Sequence, residues 1–273
     1  MKLVKYTFLA SLLMQFNSSY AQTADTTKPA SVSLDDVIFS ANKVAETKKT
    51  IAQQVLVLDK ENIANTNAQT TADLLANTGS IFVQKSQMGG GSPVLRGFEA
   101  NRILMVVDGV RMNNLIYRGG HLQNSITMDN AMLDHAEVLF GPSSTVYGSD
   151  ALGGVIHFYT KKPEFAYGNE KARKSVNAFT RYGSVNNEMT GHADFNVGGK
   201  KFASLTSVTY SSFGDLKSGA SQNPFYDTLY GVRPYYVTRI NGKDSLVQNS
   251  NQYKQVQSAY TQYDIMQKLA FRQ

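Results

Sequence analysis

The stretch Ile103-Leu104-Met105-Val106-Val107-Asp108-Gly109-Val110 decides how the fold is read: five apolar residues, two of turn type, then a return to apolar. A short apolar run bounded by turn residues suits a buried strand. Asp-Gly tolerates the positive φ angles of a two-residue turn, so a tight hairpin is predicted. Similar units lie on both sides. Gln54 to Leu58, Ile81 to Lys85, Pro93 to Phe98, Val138 to Phe140 and Val155 to Tyr159 read as strands. Thr70 to Asn77 reads as a short helix, with Thr70 and Asp73 at capping spacing and Gly79 beyond its end. The glycines at 89 to 91, 97, 109, 119, 120, 141, 148, 153 and 154 mark tight turns and close backbone approach. Together these units predict an α+β module ending near Lys162-Pro163.

Beyond residue 170 the pattern changes to alternation. His192, Asp194 and Asn196 take one face, and Ala193, Phe195 and Val197 the other; Ile265, Leu269 and Phe271 likewise oppose Asp264, Lys268 and Arg272. A period of two gives strands with one wet face and one face for lipid or core. Four strands are predicted, near 176–183, 190–198, 202–213 and 258–272, joined by a short connection, a tight turn at Gly198 to Lys201, and a long loop at about 215–255. Short turns at one end and longer loops at the other are the parity of an outer-membrane barrel. Ala193, Phe195 and Val197 are expected to face lipid, and His192, Asp194 and Asn196 the interior.

The first residues read as an export signal. Lys2 and Lys5 precede an apolar run from Tyr6 to Phe16, and Ser19-Tyr20-Ala21 supplies the small residues of a cleavage site, so 1–21 is expected to be a signal peptide. The apolar run is well short of the ~20 residues that a spanning helix needs, and any membrane span must then be a β-barrel. Residues 22–33 (QTADTTKPASVS) have the composition of a flexible tether. The apolar burst Leu34 to Ala41 follows. An isolated strand on a tether suits addition to the edge of another protein's sheet, or else it opens the next domain.

Composition narrows the function classes. With 15 Tyr, 14 Phe, 21 Gly and 18% charged residues, the chain leans toward strands and turns. The net charge of +6, less the two leader lysines, leaves +4 without a clustered stripe, which argues against nucleic acid as a partner. The lack of Cys excludes disulfides, thiolate metal sites and cysteine nucleophiles. There is no Gly-x-Ser-x-Gly elbow, His-Glu-x-x-His motif or Walker loop, and the four His at 121, 135, 157 and 192 lack metal-ligand spacing. Neither catalytic residues nor a resident metal or cofactor are expected. His121 stands out because Tyr117-Arg118-Gly119-Gly120-His121 sets an imidazole among glycines.

Two long motifs carry a family resemblance. Asn101 to Asn114 (NRILMVVDGVRMNN) and Glu137 to Ile156 (EVLFGPSSTVYGSDALGGVI) closely resemble the plug domain of TonB-dependent outer-membrane receptors, in order and spacing. The resemblance implies an α+β plug domain followed by the first antiparallel strands of a transmembrane β-barrel, incomplete in this chain because four strands do not close a barrel of roughly 22 strands. It places the plug at 42–165 and the barrel strands at 171–273. Its plug-motif positions here are Arg96, Gly97, Asp108, Gly109, Glu137, Gly141, Pro142, Gly148, Gly153 and Gly154. Where the family usually writes Arg two residues before Glu137 and again just before Gly141, this chain has His135 and Phe140.

The same resemblance makes residues 34–41 a TonB box, with Asp36, Val37, Ile38, Phe39, Ser40 and Ala41 as the segment that pairs with TonB. Val37 to Ala41 is then expected to be extended and poorly packed against the plug. The implied protein is a non-enzymatic receptor in the bacterial outer membrane. It would be surrounded by outer-membrane lipid and driven by TonB with its inner-membrane energising complex. Its cargo would be a scarce iron-containing ligand; Arg96 to Arg102 and Tyr117 to Asn124 most resemble the haem or haemoprotein branch, with Tyr117, Arg118 and His121 as ligand-binding candidates. A siderophore or cobalamin receptor is the alternative within the family, and a secreted binding or adhesion module the alternative outside it.

Overall fold

The computed structural model describes residues 37–85, 88–112, 123–219, 225 and 231–273. The signal peptide, the tether, Leu34 to Asp36 and the ligand candidates Tyr117, Arg118 and His121 lie outside the described residues. No described helix is long and apolar enough to cross a membrane.

A mixed five-stranded sheet organises the first half of the described chain. It uses β3 (Gln54–Leu58), β6 (Ile103–Val107), β7 (Val110–Arg111), β8 (Leu133–Phe140) and β9 (Gly154–Thr160), in the order β3-β8-β9-β6-β7. β6 and β9 run parallel and the other pairs antiparallel. The β6–β7 turn is the expected hairpin: Asp108 has φ +47° and Gly109 φ +87°, with Val107 opposite Val110.

Each face of this sheet has its own apolar cluster. On the first, Ile103, Met105, Ala136, Val138, Ile156 and Phe158 pack with residues of two short helices, α1 (Lys60–Thr66) and α2 (Thr71–Ala76). Thr70 caps α2 by accepting the Asp73 N–H at 3.2 Å, as its spacing predicts. α1 was not expected. Its cap is Asp59, which accepts from Asn62 N at 2.7 Å, but Ile63 is its one buried residue, so no apolar stripe marks it in the sequence. On the second face, Leu104, Val106, Leu139 and Val155 pack under Ile38, Ala41, Tyr147 and Ala151.

A small antiparallel pair, β4 (Phe82–Gln84) and β5 (Ser92–Val94), lies beside the sheet. The strand expected to run on to Phe98 stops at Val94. Arg96 at φ +49° and Gly97 at φ +82° fold Leu95 back onto Phe98 through two backbone hydrogen bonds, so a local turn displaces the extended run.

The alternating region forms a four-stranded antiparallel sheet from β10 (Arg173–Gly183), β11 (Glu188–Gly198), β12 (Phe202–Phe213) and β15 (Tyr260–Phe271). The faces fall as the alternation predicts. Glu188, Thr190, His192, Asp194 and Asn196 are buried, while Phe195, Val197, Val208, Ile265, Leu269 and Phe271 are exposed on the other side. The long loop holds an unexpected hairpin of β13 (Tyr235–Ile240) and β14 (Lys243–Gln248). The sheet is open, and no closed barrel is present among the described residues.

Candidate functional site

Val37–Ile38 (β1) pairs with Glu46–Thr47 (β2), and the segment continues across the second face of the five-stranded sheet. Ile38 and Ser40 are fully buried and Ala41 is 6% exposed, whereas Val37 and Phe39 are about half exposed. This corrects the expectation of an extended, poorly packed segment: only Val37–Ile38 is strand, and Phe39 to Ala41 turn over the sheet. Ile38 packs with Leu104, Leu139 and Val155, and burying an Ile side chain contributes roughly 1.5–3 kcal/mol. The apolar burst has a partner in its own domain, which periodicity over so few residues does not reveal.

Polar contacts continue the docking. The Glu137 carboxylate accepts the Ser40 N–H at 2.8 Å and the Phe39 N–H at 3.2 Å, and the Tyr147 hydroxyl donates to the Ser40 carbonyl at 2.8 Å. Glu137 is fully buried in the middle of β8. Burial alone would raise its pKa, but the His135 imidazole and the two backbone amides outweigh that and hold the carboxyl below its ordinary value. His135 Nε2 lies 3.7 Å from Glu137 Oε1, and its Nδ1 lies 2.9 Å from Asp134. Burial works against the imidazolium, yet these two carboxylates win and raise the His135 pKa. His135 therefore brings a protonatable group to the side of Glu137, where the family pattern would place an arginine. Tyr147 is pushed up to about 12 by burial and then by the charge of Glu137, so it stays a donor.

The other plug-motif residues are structural. Arg96 donates to Gln54 Oε1 and stands over the Phe140 ring at 5.6 Å. Asp108 accepts from the Thr160 N–H and hydroxyl, and Gly109 N–H donates to His157 Nε2 at 3.1 Å. Gly141 and Gly148 take φ +107° and +89°, and the Pro142 carbonyl accepts from Gln53. Gly153 N–H donates to the Arg102 carbonyl at 2.7 Å, and at Gly154 a Cβ would lie 2.4 Å from the Leu139 carbonyl oxygen.

Three ion pairs tie this module to the four-stranded sheet or brace that contact. Lys161 meets Asp194 at 2.7 Å and Lys268 meets Asp108 at 2.8 Å. Arg181 holds Glu188 at 2.7 Å while also donating to the Ala68 carbonyl at 3.0 Å. The alternation placed Asp194 inside; nothing in the sequence named Lys161 as its partner. Between α1 with its neighbouring loops and the four-stranded sheet lies a cavity of about 450 Å³ lined by Asp129, Arg181, Tyr260, Gln262 and Asp264 among others. Among the described residues, no group of three or more His, Asp or Glu side chains is arranged to hold a metal.

Residues 47–155 match the family model described as the TonB-dependent receptor plug domain. Fold and match agree over these residues, which form a TonB-dependent receptor plug domain; a partial antiparallel sheet follows, and the location is the bacterial outer membrane. The chain is 33% identical over 165 residues to the vitamin B12 transporter BtuB of Vibrio vulnificus strain CMCP6, covering 59% of this chain and 25% of that protein. It is 27% identical over 263 residues to BtuB of strain YJ016, covering 92% and 40%. In fold it is similar to the copper transporter OprC, with TM-score 0.54 and 22% identity over 62% of this chain and 26% of that one. It is also similar to the alcaligin outer-membrane receptor FauA of Bordetella pertussis, with TM-score 0.51 and 24% identity over 65% and 29%. The chain thus spans 25% and 40% of the curated relatives it matches, and these relatives are transport receptors rather than enzymes.

Proposed function

We propose that the chain is the plug-bearing part of a TonB-dependent active-transport receptor that imports a scarce metal complex without chemistry on it. The observation that carries this reading is the docking of Val37 to Ala41: a short apolar segment lies over one face of a sheet whose own strands are complete without it. Such a segment is detachable. In this reading 1–21 is a cleaved leader, 22–33 a tether, 34–41 the TonB box, 42–165 the plug, and 171–273 barrel wall with an outer loop at 215–255. Ligand capture by the outer loops and plug apex frees the segment, TonB pairs with it as an added strand, and traction powered by the inner-membrane complex remodels the plug.

The likeness to vitamin B12 transporters favours a corrinoid as cargo. A ferric siderophore is the second choice. Haem rests on Tyr117, Arg118 and His121, whose imidazole and guanidinium suit iron and a propionate. Energised uptake of cyanocobalamin, a ferric siderophore and haemin by cells carrying the receptor, with and without an uncoupler, identifies the cargo. Ile38→Pro should abolish energised uptake and leave surface binding intact; unchanged uptake overturns the TonB-box reading.

A further inference from the structure

We propose that Glu137 is a positioning residue for the coupling segment: its carboxylate occupies the backbone donors of Phe39 and Ser40, so a partner strand gains either one only by displacing it. The inference rests on reading Val37 to Ala41 as that segment. Strand addition works by satisfying a row of backbone N–H and C=O groups on an open edge. Here the row is already engaged. β2 pairs with Val37 and Ile38, Glu137 takes the N–H of Phe39 and of Ser40, and Tyr147 takes the Ser40 carbonyl. The plug side chains hold a bend at Phe39 and Ser40 that an added strand must straighten.

This arrangement can be undone and remade. Successive N–H groups of an extended strand point to opposite edges, so an incoming strand replaces one of the two bonds to the carboxylate by a bond to a carbonyl and turns the other donor to the far edge. Glu137 is the group left in deficit. Fully buried, it would keep only the His135 imidazole at 3.7 Å, which is itself shared with Asp134. An ionised carboxylate short of partners is costly, and that cost draws the segment back once traction ceases. The nearby fastening at Tyr147 acts on the carbonyl alone and holds less.

The sequence has no Cys, so a single thiol reports cleanly. Ser40 is fully buried, and a Cys there is close to Ser in size and keeps the backbone N–H that Glu137 accepts. The measurement is the rate of maleimide labelling of the Ser40→Cys receptor in outer-membrane vesicles, without TonB or ligand. Adding Glu137→Gln should raise the rate about tenfold and Tyr147→Phe by less, while Ala72→Cys, fully buried in α2, stays protected in both backgrounds. A rise under threefold for Glu137→Gln overturns the proposal. If Ala72→Cys becomes labelled with Glu137→Gln, the plug has opened as a whole; the same threshold is then applied to Glu137→Asp, whose shorter side chain keeps the charge but not the reach. Because this readout involves no transport, its failure would leave the Ile38→Pro uptake test standing, and the reverse also holds.

Discussion

The Asp108 carboxylate accepts the Lys268 ammonium at 2.8 Å, joining the plug's hairpin turn to a barrel strand 160 positions away. Asp108 also accepts two bonds from Thr160, and these with Lys268 overcome the upward push of burial to hold its pKa below the ordinary value. Lys268→Met should loosen the seating of the plug by about 1 kcal/mol, as expected for a partly exposed pair. Asp108→Asn keeps the turn, since Asn tolerates φ +47°, but weakens all three contacts and should cost about 1–3 kcal/mol. Urea midpoints for plug release measure both; equal losses would show that Thr160 contributes nothing.

His157 gives the plug a pH dependence. Its Nε2 accepts from Gly109, so the neutral ring carries its hydrogen on Nδ1, which is buried without a partner among the described residues. Burial, aided by charge on His135 and opposed by Glu137 and Asp108, lowers its pKa to about 4. Unfolded, the ring titrates near the ordinary value of about 6.5. The stability it permits is therefore complete above about 6.5 and declines as pH falls toward 4, by roughly 3 kcal/mol at most. His135, with its raised pKa, has the opposite sign and loses its contribution as pH rises. The informative quantity is thus the difference between parent and His157→Gln in urea midpoint from pH 7 to 4.5. The variant should show the shallower decline; parallel profiles would refute the assignment.

Gly154→Ala should prevent stable packing of the plug, at a cost of about 3 kcal/mol or more. Its φ is +154°, and the new Cβ would fall 2.4 Å from the Leu139 carbonyl and 2.7 Å from a Leu95 methyl. Gly191→Ala, in β11 with nothing within 4 Å of the added atom, should fold as the parent does. Protease resistance of the two variants separates them.

Phe195 points away from the plug side of the sheet and is 46% exposed. Facing lipid, Phe195→Lys should impair assembly by about 2–4 kcal/mol if it lies near the bilayer midplane. Phe195→Leu should assemble normally. The heat-modifiable folded fraction on gels reports this, and normal assembly of the lysine variant would mean that the outer face meets water.

Legibility differed from element to element for identifiable reasons. The β6–β7 turn was readable because Asp108-Gly109 satisfies a purely local requirement on two φ angles. The strand over 133–140 is legible only at its end, from Val138, because Asp134 and His135 interrupt the apolar run, and the pairing with β9 resumes beyond them only through a register shift between Leu133 and His135. Glu137 was recognised as a motif position, but its task was not: that task depends on residues 97 and 98 positions earlier in the chain. The ligand candidates remain proposals outside the described residues.

The sequence by itself determined what depends on near neighbours along the chain. Turns follow from glycine placement, the α2 cap from Thr70 and Asp73, and the wet and apolar faces of β11 and β15 from strict alternation. Only the tertiary structure decided which long-range partners meet: Ile38 over the second face of the sheet, the Phe39 and Ser40 amides on Glu137, Lys161 on Asp194, and Lys268 on Asp108. Alternation states that a side chain faces inward. What it meets there depends on how two separately formed sheets pack, and no local period encodes that choice.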